Sequence, residues 1–171
     1  MIKVIGAILL IAGTAAWGIT GVFRLRGRCR SLTAITRALG AMQSEICDRL
    51  TPMPELLLQM GEEAGAPADV LFRNAAEMMS ELGTAQFSVI WRRAIERTPE
   101  LLLTREEETV LTELGMSLGR YNVEEQKNAL VYTRRRMEEF AHKAELARDM
   151  NSKMHAFLGI AAGVFAVVIL I

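Results

Sequence analysis

The chain has 171 residues, enough for one domain. Lys plus Arg (20) balances Asp plus Glu (20) and aromatics make up 6%, which excludes the basic footprint and base-stacking surface of a nucleic-acid binder. Two cysteines and two histidines are too few for a disulfide framework or a typical zinc site, and the apolar half of the composition (51%, mean hydropathy +0.21) is concentrated at the two ends.

The first element is a predicted transmembrane helix over residues 1–23. Val4 to Phe23 carries no charge and is long enough to cross a bilayer. Lys3 and the small residues Thr14-Ala15-Ala16 also fit a cleaved signal peptide. The apolar run continues through Ile19, Val22 and Phe23, which favours a retained span. Arg24, Arg26, Arg28 and Arg30 follow as a basic membrane flank.

A helical domain is predicted over residues 24–153, with almost no β signal. Leu25, Leu32, Ile35, Leu39, Met42 and Ile46 form a three-four stripe on a helix from about Arg24 to Leu50. Thr51-Pro52 reads as a cap followed by proline at the first helical position. Met53 to Glu63 is a second helix, with Leu57, Met60 and Ala64 inward, and Gly65-Ala66-Pro67 breaks it. Ala68 to Leu82 is a third, with Leu71, Ala75, Met78 and Leu82 on one face. Gly83 ends it, and a fourth opens at Thr84 with Phe87, Ile90, Trp91, Ala94 and Ile95 inward. Thr98-Pro99 punctuates. Thr104 with Glu107 is a capping box opening a fifth helix through Leu118, whose Val110, Leu111, Leu114 and Leu118 face in. Gly119 suits a left-handed helix end.

Asn122 with Glu125 is a second capping box. It opens one long helix that is amphipathic first and wholly apolar afterwards. Val123, Gln126, Leu130, Thr133, Met137, Phe140, Ala144 and Ala147 share a stripe. Beyond Lys153, a second basic flank, residues 154–171 form a predicted transmembrane helix, spanning roughly 27 Å at 1.5 Å per residue. Gly159 and Gly163 in this stretch have the G-x-x-x-G spacing that permits close helix packing in lipid, and Ala12 and Ala16 offer the same spacing in the first span. The basic residues inside the two spans predict a cytosolic domain with both termini outside, and unpaired cysteines in a reducing compartment.

The expected fold is therefore all-α: a bundle of about six helices flanked by an N-terminal and a C-terminal transmembrane helix. The first and last helices of the domain, each standing about 40 Å, must be antiparallel. The Thr51–Pro54 and Gly119–Asn122 turns then share the pole far from the bilayer.

No catalytic, cofactor-binding or metal-binding constellation is recognisable. His142 lies on a charged face and His155 begins the second span. Glu106-Glu107-Glu108 suit a helix start. Arg134-Arg135-Arg136 reads as a solvated face or a patch for an acidic partner. Cys29 and Cys47 read as small core residues. Gln126 sits on an apolar stripe; it either bonds the Gly119–Asn122 loop or faces a partner. The candidate partner-facing pole comprises Thr51, Pro52, Tyr121, Asn122 and Gln126.

The whole chain resembles the stage III sporulation protein AB family of spore-forming bacteria. The segments that carry the resemblance are Leu39, Met42, Glu45-Ile46 and Thr51-Pro52, then Leu114-Gly115, Leu118-Gly119, Asn122-Val123 and Gln126. Met53 and Asn122 depart from it, standing where Leu and Asp are expected. The family in turn resembles the cytoplasmic helical domain of type II secretion F proteins. The resemblance implies a non-enzymatic platform in the mother-cell membrane around the forespore. It would couple the cytosolic ATPase component AA to the other proteins of the stage III sporulation A complex. It implies no cofactor, nucleic acid or small-molecule substrate, and leaves a homo-oligomer open. An F-type platform of a secretion or pilus system and a helical membrane sensor are the alternatives.

Overall fold

The computed structural model describes the backbone of residues 2–119 and 122–170, and the side chains of residues 23–119 and 122–150. Among these residues the chain forms six α-helices and no strand. They are α1 (Ile2–Ser44), α2 (Met53–Glu63), α3 (Ala68–Glu77), α4 (Phe87–Glu96), α5 (Arg105–Leu118) and α6 (Val123–Leu170). The chain divides into two units. One comprises Met1–Arg26 with Lys143–Ile171; the other is Gly27–His142. Among the described residues no helix is long and apolar enough to cross a membrane. Both expected spans lie outside the described side chains, save Phe23. So do Lys153, His155, Gly159 and Gly163.

In the first unit Phe23, Leu146 and Met150 expose their apolar side chains, beside exposed Arg24 and Arg26. Arg148 pairs with Asp149 at 2.9 Å.

The second unit is a bundle. α2 packs on α3, α3 on α4, and α4 on α5. Arg28 of α1 and Arg136 of α6 both reach the start of α5, at Glu107 and Glu106. Ile46, at the far end of α1, and Gln126, at the start of α6, line one cavity with Leu118 at the end of α5. Within this unit α1 therefore runs parallel to α5, and α6 runs antiparallel to both. At Gly40 of α1 a Cβ would lie in ordinary contact, 3.5 Å, with Arg134 Nη1 of α6.

The core follows the three-four stripes. Leu32, Ile35, Leu39, Met42, Leu57, Met60, Leu71, Ile90, Trp91, Leu111, Leu114, Leu130, Met137 and Phe140 are buried as the spacing predicts. Cys29 is buried too, and Cys47 half-buried. Phe72 and Phe87 flank Trp91 with ring centres 5.9 and 6.1 Å away. Trp91 Nε1 donates to the Leu111 carbonyl at 2.8 Å, which satisfies its only polar group in the core. Gly115 makes this contact accessible, because a Cβ there would stand 2.6 Å from Trp91 Cδ1.

Several boundaries differ from expectation. The α-helical ladder of α1 stops at Ser44 and continues as a wider π turn, Glu45–Arg49. Thr51 does not cap α2. Its hydroxyl donates to the Glu45 carboxylate, and Pro52 takes the cap position with Pro54 at N2. α3 ends at Glu77 and tightens into a 3₁₀ turn, Met78–Glu81, so Leu82 points outward. α4 starts at Phe87 rather than Thr84, whose hydroxyl instead bonds the Glu81 carbonyl. Gly119 is not left-handed (φ −78°); its role is close packing, with a Cβ 3.2 Å from Phe87 Cβ. Val123 is exposed, while Leu25, Ala64 and Ala147 are only half-buried. The Thr104–Glu107 capping box forms as the spacing predicts.

Candidate docking groove

Four chain segments of the second unit converge on a cavity of about 1170 Å³. Each is shaped by a local feature of its sequence.

The first is the end of α1. Glu45 is 8% exposed, and its carboxylate accepts from Arg49 Nη1 at 2.8 Å and Thr51 Oγ1 at 2.9 Å. The Thr51 amide also donates to the Glu45 carbonyl at 3.1 Å. These bonds fasten the turn onto the π segment. Leu50 is left between them in the left-handed region, φ 55° and ψ 34°, with its side chain 67% exposed. That conformation costs a residue with a Cβ about 1–2 kcal/mol. π turns and left-handed non-glycine residues both concentrate at functional positions.

The second segment joins α3 to α4. Leu82, 48% exposed, precedes Gly83, whose φ of 112° only glycine adopts readily. Glu81 steadies the loop. Its carbonyl accepts from Thr84 Oγ1 at 2.8 Å, and its carboxylate from Arg93 at 2.9 Å.

The third is the end of α5. Gly115 and Gly119 press on Trp91 and Phe87, so Met116 faces out at 58% exposure. The fourth is the start of α6. Asn122 Oδ1 accepts from the Glu124 amide at 3.0 Å, and Val123 stands 39% exposed. Gln126 Nε2 donates to the Leu118 carbonyl at 3.3 Å, closing the end of α5.

Of the residues read from the sequence as one pole, Thr51, Pro52 and Gln126 line this cavity. Asn122 caps α6 beside it, and Tyr121 lies outside the described residues. Gln126 thus bonds the helix end and lines the groove as well. Leu50 and Met116 were not singled out by the sequence, Glu45 entered only through the family resemblance, and Leu82 was assigned to the core. The available signal was an apolar residue next to a helix-breaking glycine, at Leu82-Gly83.

Among the described lining residues none is charged. Among the described residues no three His, Cys, Asp or Glu side chains gather as a metal site. His142 is exposed. The arginine run is largely engaged on the bundle: Arg136 bonds Glu139 at 2.7 Å and Glu106 at 3.0 Å and lies 4.8 Å over the Phe140 ring. Arg134 lies 3.7 Å from Glu138, and Arg135 is exposed.

At the opposite end of α5, Glu107 is fully buried and does two things. It accepts the Thr104 amide at 2.7 Å, completing the cap, and it accepts from Arg28 Nε at 3.2 Å and from Arg28 Nη2. Hydrogen bonding to Glu107 raises Arg28 above the usual guanidinium pKa, against the opposing pull of partial burial. Arg24, Arg26 and Arg30 of the predicted membrane flank are exposed; Arg28 is instead committed to the bundle.

A family model described as stage III sporulation protein AB matches residues 3–171. The chain is similar to the stage III sporulation protein AB of Bacillus subtilis (strain 168), with 24% identity over 171 residues and 99% of each chain covered. It is also similar to a solved structure of stage III sporulation protein AB (SpoIIIAB), with a TM-score of 0.65 and 21% identity. That likeness covers 72% of this chain and 98% of the other, and shows the same helical fold.

Proposed function

The chain belongs to the stage III sporulation protein AB family, and from that premise we propose that it is a non-enzymatic membrane platform of the sporulation apparatus. In this reading residues 1–23 and 154–171 anchor it in the mother-cell membrane around the forespore. The helical domain between them stands in the mother-cell cytosol. It meets the ATPase component AA and relays it to the membrane-embedded proteins of the stage III sporulation A complex. The uncharged ends and the arginine flank support the anchoring.

One observation carries the docking half of the proposal. Residues from both segments that carry the family resemblance, Thr51 and Pro52 with Leu118, Gly119, Val123 and Gln126, meet on one groove whose described lining is uncharged. Exposed Leu50, Leu82, Met116 and Val123 line it, and apolar side chains gathered in a concave site support a binding role. The test is co-purification of the full-length chain with the ATPase in detergent. Met116→Asp and Leu82→Asp should abolish association while leaving helical content unchanged, because both side chains are exposed. Retained association with both variants would refute docking at this pole. For the anchoring, a single cysteine at exposed position Glu113, in a background lacking Cys29 and Cys47, should resist a membrane-impermeant thiol reagent until lysis. Labelling from outside would overturn the cytosolic placement.

A further inference from the structure

We propose that the groove receives an amphipathic helix of a protein partner, one whose aliphatic face is bordered by Lys or Arg side chains. This rests on the reading that the groove is the partner-facing pole, and specifies what the partner presents there.

Size and lining select the occupant. Two turns of a helix 10–12 Å across fill on the order of 1000 Å³, against a cavity of about 1170 Å³. Leu50, Leu82, Met116 and Val123 reach into water around it, as anchors for apolar side chains at three-four spacing. Met53, Met79 and Met116 add unbranched, polarizable contacts that adapt to such a face. An extended peptide would need backbone partners, and no strand edge is present among the described residues. A helix satisfies its own backbone. It needs little from a lining whose polar groups are partly committed, Thr51 to Glu45 and Gln126 to Leu118.

Charge complementarity selects the border. Six exposed carboxylates, Asp48, Glu55, Glu77, Glu113, Glu124 and Glu125, stand within two residues of a lining position. On the same count the described cations are Arg49, bonded to Glu45, and Lys127, 3.9 Å from Glu124. This excess of carboxylates next to the lining positions, with no charge among the described lining itself, favours a basic-flanked helix and disfavours an acidic one.

The test uses the full-length chain in nanodiscs of zwitterionic lipid, with methionine methyl groups labelled for NMR. The probe is a synthetic helical peptide with Leu at i, i+3, i+4 and i+7 and Lys on both borders. It should shift the methyl signals of Met53, Met79 and Met116 while leaving buried Met137 unmoved. Replacing its Lys with Glu should weaken binding about tenfold or more, and raising salt from about 50 to about 300 mM should weaken the Lys peptide. Leu82→Asp should weaken it by a similar factor. Equal binding of the Glu peptide, or shifts confined to Met150 at the lipid end, would overturn the proposal. The ATPase reading fails separately: Leu82→Asp would then lose the peptide but keep the ATPase. If the ATPase were lost and the peptide never bound, the pole would stand and the basic helix would be the wrong occupant.

Discussion

Replacing Glu107 with glutamine keeps its shape and removes its charge, at a position where one carboxylate serves two helices. The native side chain is fully buried and receives the Thr104 amide, Arg28 Nε and Arg28 Nη2. Glutamine offers one oxygen, and its amide turns two donors toward donors. A charge-assisted hydrogen bond contributes about 1.5–3 kcal/mol. The Arg28 side chain is 24% exposed and recovers part of its solvation, so Glu107→Gln should cost about 2–3 kcal/mol. Arg28→Ala is the harsher change. It leaves a carboxylate with no exposed surface and only the Thr104 amide as partner, a loss of about 3–5 kcal/mol. The double variant removes both charges together, so the cycle should show a coupling of about 1–3 kcal/mol. Thermal unfolding of the full chain in detergent, followed by helical circular dichroism, reads these as falls of about 10 °C for Glu107→Gln and more for Arg28→Ala. Additive single losses, or single losses below about 0.5 kcal/mol, would refute the idea that α1 and α5 are joined by this pair.

Three further outcomes follow from the same geometry. Gly115→Ala would place a Cβ 2.6 Å from Trp91 Cδ1, so α4 and α5 must separate; a loss of about 1–3 kcal/mol is expected in the same assay, with a changed Trp fluorescence maximum. Leu50→Gly relieves a left-handed backbone and removes an exposed side chain, so it should stabilise by about 0.5–1 kcal/mol while weakening partner binding, a trade unfavourable to function. Because the folded pKa of Arg28 is raised, its contribution is complete below the ordinary guanidinium value and is lost only as pH climbs through the higher folded one. The stability gap between the parent and Arg28→Ala should therefore stay level from about pH 7 to about pH 10 in urea unfolding; a gap that closes over that range would contradict the assignment.

Most of the bundle was legible because helical periodicity and caps are local signals. The second helix falls on its expected residues, Met53–Glu63, and the Thr104–Glu107 box marks the start of α5. The pairing of Arg28 with Glu107 was not legible. Both residues had adequate local readings, a membrane flank and a helix-start acid, and only the tertiary approach of two elements 79 residues apart joins them. Thr51 failed for a related reason. Its hydroxyl could accept from an N–H at the start of its own helix or donate to a nearby acceptor, and the buried carboxylate six residues back takes it as a donor.

The misassigned apolar residues have a pattern of their own. Leu82 and Val123 continue the three-four stripes of α3 and α6, so spacing assigns them to the core. The structure takes both out of it at a helix boundary: α3 tightens into a 3₁₀ turn before Leu82, and Val123 is the first residue of its helix. Both then line the same cavity, together with Leu50 in its left-handed turn and Met116 on the outer side of α5. Each exposure, taken singly, is ordinary for a surface. Four converging on one uncharged floor, two of them after glycine-permitted helix approach or a strained turn, are not what burial alone would select. Sequences violate local consistency where function requires it. Leu50 held in a left-handed turn and four apolar side chains left in water make this groove the part of the domain least explained by its own stability.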